Sequence, residues 1–138
     1  MSTVLTILPD GFEEVEAVTP IDFLRRAGVQ VTLASLHESL TVTGRSGLKL
    51  LAETTLHRVA EQEFDCLFLP GGPGVKLLRG DARVLQRVKE QGAVVVDGKL
   101  VTSRGAGTAA HFGLELVRAL VSPAASQDVA RSVCWPNG

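Results

Sequence analysis

Cysteine is scarce in this chain. Cys66 and Cys134 are the only two in 138 residues. They show neither metal-ligand spacing nor the density of a disulfide-stapled secreted domain, which points to a reducing compartment and makes the cytoplasm the expected location. An excess of one charge is also lacking. The formal net charge is -1 with Arg and Glu interspersed, so there is no basic stripe for nucleic acid and no polybasic patch for a membrane surface. No stretch reaches the roughly 18 consecutive apolar residues of a spanning helix, and Met1-Ser2-Thr3-Val4 lacks the basic start of a leader. Neither nucleic acid nor membrane is therefore an expected partner. What is present is ordinary globular material, 45% hydrophobic and 21% charged, of a length for one domain.

The chain is organised around Cys66-Leu67-Phe68-Leu69 followed by Pro70-Gly71-Gly72-Pro73-Gly74. A continuous apolar run with no polar alternation suits a parallel strand covered on both faces, and ligands of such sheets sit beyond the carboxyl ends of the strands. Gly71 and Gly72 allow a sharp turn there, with N–H groups free to face a developing negative charge.

In chain order, Val4-Leu5-Thr6-Ile7-Leu8 reads as a first strand ended by Pro9-Asp10-Gly11. A helix follows, with Glu13, Glu14 and Glu16 in its first turns, Arg25 and Arg26 in its last, Gly28 as C-cap and Pro20 expected to kink it. Its apolar positions are Val15, Val18, Ile21, Phe23 and Leu24. Residues 29–34 form a second strand, closing a right-handed β-α-β unit. Alternation around Gly44-Arg45-Ser46-Gly47 predicts a hairpin at the sheet margin, and residues 54–62 leave room for a helical turn. Asp81 is the expected N-cap of a helix with Val84, Leu85 and Val88 on one face, ending at Gly92. Val94-Val95-Val96 and Leu100-Val101-Thr102 flank Asp97-Gly98-Lys99, a hairpin signal. A last helix is predicted over 108–120. The domain thus spans 1–121, with 122–138 a loose carboxyl-terminal tail.

Candidate chemistry is thinly spread. His37, His57 and His111 have no ligand partners at metal spacing, so no metal is expected and they read as surface residues. Cys66, in mid-strand, reads as an inert core thiol with a raised pKa, and Cys134 as an exposed free thiol. Gly105-Ala106-Gly107-Thr108-Ala109-Ala110 fits a dinucleotide fingerprint but is not followed by a strand ending in an acidic residue at the required distance. A tight strand-to-helix connection is its plainer reading, with a nucleotide site as the alternative. Gly44-Arg45-Ser46-Gly47-Leu48-Lys49 lacks the ending of a phosphate loop. Glu16 is the acid placed where a pocket would open above the glycine turn.

Leu8-Pro9-Asp10-Gly11-Phe12-Glu13-Glu14-Val15-Glu16-Ala17-Val18 and Pro20-Ile21-Asp22-Phe23-Leu24-Arg25-Arg26-Ala27-Gly28 resemble the opening of the ThiJ/PfpI superfamily, in its parkinsonism-associated deglycase (DJ-one) branch. Leu69-Pro70-Gly71-Gly72 and Leu100-Val101-Thr102-Ser103-Arg104-Gly105-Ala106-Gly107-Thr108 carry the same resemblance, which covers residues 4–121. It implies a flavodoxin-like three-layer α/β sandwich with a mostly parallel sheet, and a homodimer. It also implies a site in which Glu16 contacts a cysteine thiolate while Gly71 and Gly72 supply oxyanion donors. The activities implied are glyoxalase-like and deglycase-like, on small reactive carbonyls, with stress-response and chaperone roles, and they need neither metal nor organic cofactor.

The departure from that pattern is large. Where the family has a central strand, a cysteine-bearing elbow, a helix and a strand leading to a histidine, this sequence runs Gln91-Gly92-Ala93-Val94. The gap is either a deletion or a segment not written in this sequence. No cysteine aligns with the nucleophile, and His111 is not at the family histidine's place. A missing central strand forfeits roughly 10 kcal/mol of side-chain burial. The chain must then turn Val94-Val95-Val96 or Val101 inward, or leave an open edge. The expected function is a reactive-carbonyl protein impaired in catalysis, the alternative a non-catalytic dimeric interaction or chaperone-type module. If the pocket survives, Glu16 is expected to be less exposed than Glu13 or Glu14 and to face the Gly71-Gly72 turn.

Overall fold

A computed structural model describes residues 2–90, 94–96, 117, 118 and 120–133. Its elements, in chain order, are β1 (Thr3–Leu8), α1 (Glu14–Arg26), β2 (Gln30–Ser35), β3 (Thr41–Thr43), β4 (Lys49–Leu51), β5 (Thr54–Thr55), β6 (Cys66–Leu69), α2 (Val75–Arg79), α3 (Ala82–Glu90), β7 (Val94–Val96) and α4 (Pro123–Ser132). Five strands form one sheet in the order β5-β2-β1-β6-β7, with every neighbouring pair parallel. The unbroken apolar runs predict this, because parallel strands are covered on both faces. Val4, Leu8, Val31, Leu33, Cys66 and Phe68 pack beneath α1 and α4. Leu5, Ile7, Ala34, Leu67 and Leu69 pack against Leu78 of α2 and Val84 of α3. The result is a flavodoxin-like three-layer sandwich.

The helix boundaries follow their capping chemistry. At the end of α1, Gly28 takes φ +84°, its N–H donates to the Arg25 carbonyl, and the Val29 N–H donates to the Leu24 carbonyl. This is the paired closure that a left-handed residue just past a helix permits, with Ala27 as the C-cap and Gly28 one residue beyond it. Pro20 lies within the helix and is buried. Asp81 caps α3 as predicted, its carboxylate accepting from the N–H groups of Arg83 and Val84 at 2.9 and 3.3 Å.

Four expectations need correction. The predicted hairpin forms as β3 and β4, which make a separate two-stranded antiparallel sheet and do not extend the margin of the main one. Val15 and Val18, counted among the apolar positions of α1, are 46% and 43% exposed, and Leu85 of α3 is 48% exposed. These side chains lie off the stripes that meet the sheet. Residues 122–138 are not loose throughout, because α4 occupies 123–132. Ser122 is its N-cap, accepting from the Ala125 N–H, with Pro123 in the first turn. Val129 and Ala130 enter the core, and the Ser132 hydroxyl receives a hydrogen bond from Arg26 of α1. The missed signal is the Ser-Pro pair, an N-cap followed by the residue best suited to a first helical position.

Among the described residues the 94–96 strand pairs with the main sheet, as its terminal strand. Val94, Val95 and Val96 align in parallel with Leu67, Phe68 and Leu69, so β7 is the neighbour of β6. The hairpin at Asp97-Gly98-Lys99, Val101, the Gly105 to Ala110 stretch, His111, Cys134 and most of the 108–120 helix lie outside the described residues. Val117, near the end of that last segment, is fully buried.

Candidate functional site

The carboxyl ends of β1 and β6 are where a ligand of this fold is expected, and two loops meet there backbone to backbone. Gly11, at φ +82°, accepts through its carbonyl from the Gly74 N–H at 3.0 Å, while the Glu13 N–H donates to the Gly71 carbonyl at 2.9 Å. Gly72 takes φ +106°. A Cβ there would stand 2.7 Å from the Glu13 nitrogen and 2.9 Å from the Gly11 carbonyl oxygen, and one on Gly74 would stand 2.4 Å from the Asp10 carbonyl oxygen. The glycines of this turn therefore serve first to let two backbones touch.

The turn of the β3–β4 hairpin, residues 44–48, closes over the same loop. The Gly11 N–H donates to the Thr43 carbonyl and the Arg45 N–H to the Phe12 carbonyl, each at 2.8 Å. The Asp10 carboxylate accepts from the Thr43 N–H, and the Asp10 N–H donates to His37 Nε2, both at 2.9 Å. His37, read as a surface residue, is half-buried and holds this loop. His57 is exposed as expected.

The acids of α1 are ordered differently from the expectation. Glu14 is only 6% exposed, whereas Glu16 is half-buried. Glu14 shares the i, i+3, i+7, i+10 stripe of Ala17, Ile21 and Leu24, all buried, and Glu16 lies outside it. That stripe was legible in the sequence. Glu14 Oε2 accepts from the N–H groups of Ser46 at 2.9 Å and Leu48 at 3.3 Å. Its Oε1 is buried with no hydrogen-bond partner among the described residues. Burial pushes the carboxyl up, but the backbone N–H groups of Glu14, Ser46 and Leu48 and the side chain of Ser46 outweigh it, and the net shift is downward. Gly44 is glycine for the same reason, since a Cβ would come within 2.5–2.7 Å of the Glu14 carboxyl end.

Cys66 is where the sequence places it. It sits in β6 opposite Val4, is 2% exposed, and burial together with neighbouring Asp65 pushes its thiol up to about 11. Such a thiol is protonated at neutral pH and is not a nucleophile. Glu16 lies on the first turn of α1 and Gly71 and Gly72 on the β6–α2 turn, two regions tied by the bond from the Glu13 N–H to the Gly71 carbonyl. An open cavity of about 640 Å³ lies elsewhere, lined by Leu56, Phe64, Arg83 and Arg87 among others, none of them in these loops. Among the described residues no three His, Cys, Asp or Glu side chains group as a metal site, and no helix is long and apolar enough to cross a membrane.

Comparison with known proteins identifies the family and the fold. The family described as DJ-1/PfpI matches residues 2–93. The chain is 30% identical to Protein dj-1beta of Drosophila melanogaster over 177 aligned positions, covering 94% of this chain and 95% of that protein. The crystal structure of that fly protein superposes with a TM-score of 0.87, over 97% of this chain and 98% of its own. A DJ-1 of Toxoplasma gondii in its oxidised form shares the fold with the same TM-score at 23% identity, over 99% of this chain and 100% of that one. Glutathione-independent glyoxalase DJR-1.2 of Caenorhabditis elegans is 24% identical over 96% of each chain.

Proposed function

Because the chain belongs to the DJ-1/PfpI family, we propose that it is a reactive-carbonyl protein of the glyoxalase and deglycase type whose turnover is impaired in this form. Attack on an aldehyde or hemithioacetal needs a thiolate held beside an acid and facing oxyanion donors. In this reading Glu16 is the acid and the Gly71 and Gly72 amides are the donors. Small reactive carbonyls are the substrates of any remaining activity, and the cytoplasm is the compartment.

The observation that carries the reading is the position of Cys66, buried in mid-strand with a thiol raised to about 11. At about 3.3 Å per residue its sulfur stands some 15 Å down β6 from the glycine turn. The alignment with the fly protein runs over 177 positions against the 138 residues of this chain, so it opens gaps in this chain. Methylglyoxal consumption by the purified chain is the test. Turnover at background for wild type, Cys66→Ser and Cys134→Ser is expected. Robust turnover abolished by either substitution overturns the reading.

A second reading, a non-catalytic homodimeric or chaperone-type module, is favoured by one feature. Val15 and Val18 on α1 are exposed, and so are Leu48 and Leu51 of the hairpin. The Leu48 N–H is bonded to Glu14, the residue before Val15, and in this reading a second copy of the chain covers exposed apolar side chains of α1 and the hairpin. Sedimentation of wild type as a dimer, and of Val18→Lys/Leu48→Lys as a monomer, is the expected result.

A further inference from the structure

Glu14 has no part in the reaction proposed above, yet it is the buried acid of this end of the molecule. One of its oxygens takes two backbone donors from the hairpin turn, Ser46 and Leu48. The other is buried with no partner among the described residues. Gly44 is in close contact with the same carboxyl. We infer that the Glu14 carboxylate is an acid-sensitive clamp, which holds the 44–48 turn onto the first turn of α1 when ionised and releases it when protonated.

The geometry makes the two protonation states unequal. Ionised, Oε2 has lone pairs for both N–H groups, and such charge-assisted bonds are roughly twice as strong as neutral ones. A proton on Oε2 weakens that double acceptance. A proton on Oε1 buries a hydroxyl donor with no acceptor among the described residues. Either way the turn loses its anchor, while the bonds of the hairpin to the 9–13 loop, from Arg45 N–H to Phe12 and from Gly11 N–H to Thr43, involve no titrating group. Those two bonds keep the base of the hairpin on the loop when Glu14 alone is protonated.

Other ionisable groups stand on the packed elements, and the test separates them. They are Asp10, Glu13 and Glu16 before and within α1, His37 on Asp10, and Arg45 and Lys49 on the hairpin, with Arg45 Nη1 3.9 Å from Glu13. Asp10 matters most, since its carboxylate also holds a hairpin amide, that of Thr43.

The sign is set by the lowered pKa. A carboxyl held below its ordinary 4.5 when folded contributes its clamp in full above that value and loses it as pH falls through the folded pKa. The experiment is an amide-proton NMR titration of the full chain from neutral pH into the acid range. The Ser46 and Leu48 amide protons are expected to shift together with a midpoint below 4.5, in wild type and in Asp10→Asn and Glu13→Gln, and to show no such step in Glu14→Gln. Absence of the step in wild type, or its survival in Glu14→Gln, overturns the inference. Should Glu14→Gln fail to fold, amide exchange in wild type decides. Ser46 and Leu48 are expected to lose roughly ten-fold protection relative to Arg45 on acidification, and parallel loss at all three overturns the clamp.

Discussion

Two loops of this molecule are each tied down by one charged side chain, and the two side chains are of opposite sign. The 44–48 turn gives two N–H groups to the Glu14 carboxylate. The 59–62 segment gives three carbonyls, those of Val59, Ala60 and Gln62, to Arg87 Nη2 at 2.7, 3.1 and 3.0 Å. Each charge bonds several backbone groups of one tight loop at once. The difference is chemical. A guanidinium does not lose its proton in a folded protein, and this one also lies 5.6 Å from the centre of the Phe64 ring, so its loop is held at every pH. A carboxylate can be discharged. The loop beside the candidate site is therefore conditional, and the loop beside the open cavity is permanent.

The largest effect is expected from breaking the first region from beneath. Gly72→Ala must place a Cβ at φ +106° against the Glu13 nitrogen and Gly11 carbonyl oxygen, both backbone atoms that cannot swing aside. Left-handed strain and overpacking together cost about 2–5 kcal/mol, measured as a lower urea midpoint, and Glu13, Glu14 and Glu16 move with the displaced loop. A stability within about 0.5 kcal/mol of wild type would show that the two loops are not interlocked.

Arg87→Ala sharpens the contrast. It leaves three carbonyls without their charged donor and is expected to cost about 1.5–3 kcal/mol. The loss should be the same at pH 7 and in the acid range, because no proton equilibrium of the arginine intervenes. The Glu14→Gln difference from wild type behaves oppositely, closing as pH falls below 4.5. Urea unfolding of both variants at two pH values checks this, and an Arg87 effect that fades in acid would remove the distinction. The smallest effect belongs to Gly47→Ala. That glycine, at φ +91°, has nothing within 4 Å of a built Cβ, so only the conformational strain of about 1–2 kcal/mol applies.

Much of the fold was legible because its signals are local. Unbroken runs such as Cys66 to Leu69 announce strands buried on both faces, and Gly28 and Asp81 announce helix ends through the backbone geometry and hydrogen bonds each supplies. The site was less legible. Position after β1 and the family resemblance both point to Glu16, while Glu14 reads as a dipole partner although it lies in register with Ala17, Ile21 and Leu24. Val15 and Val18 were counted as apolar and are exposed, because hydrophobicity alone does not say which side of a helix the sheet will meet.

Motifs spread over residues 4–121 carry the family resemblance, and the sequence by itself determined the parallel strands, the glycine turn after β6 and the placement of an inert thiol at Cys66. Each follows from residue type and spacing within a few positions. The stripe that carries Glu14 can be read from the sequence, but only the tertiary structure decided what its carboxylate meets, since a hairpin thirty residues away supplies the N–H groups of Ser46 and Leu48. It decided that Val94 to Val96 pair in parallel with β6, a choice of partner that no local pattern encodes. It also turned Pro123–Ser132 into a helix by providing, in the core under α1, a surface against which Val129 and Ala130 are worth burying.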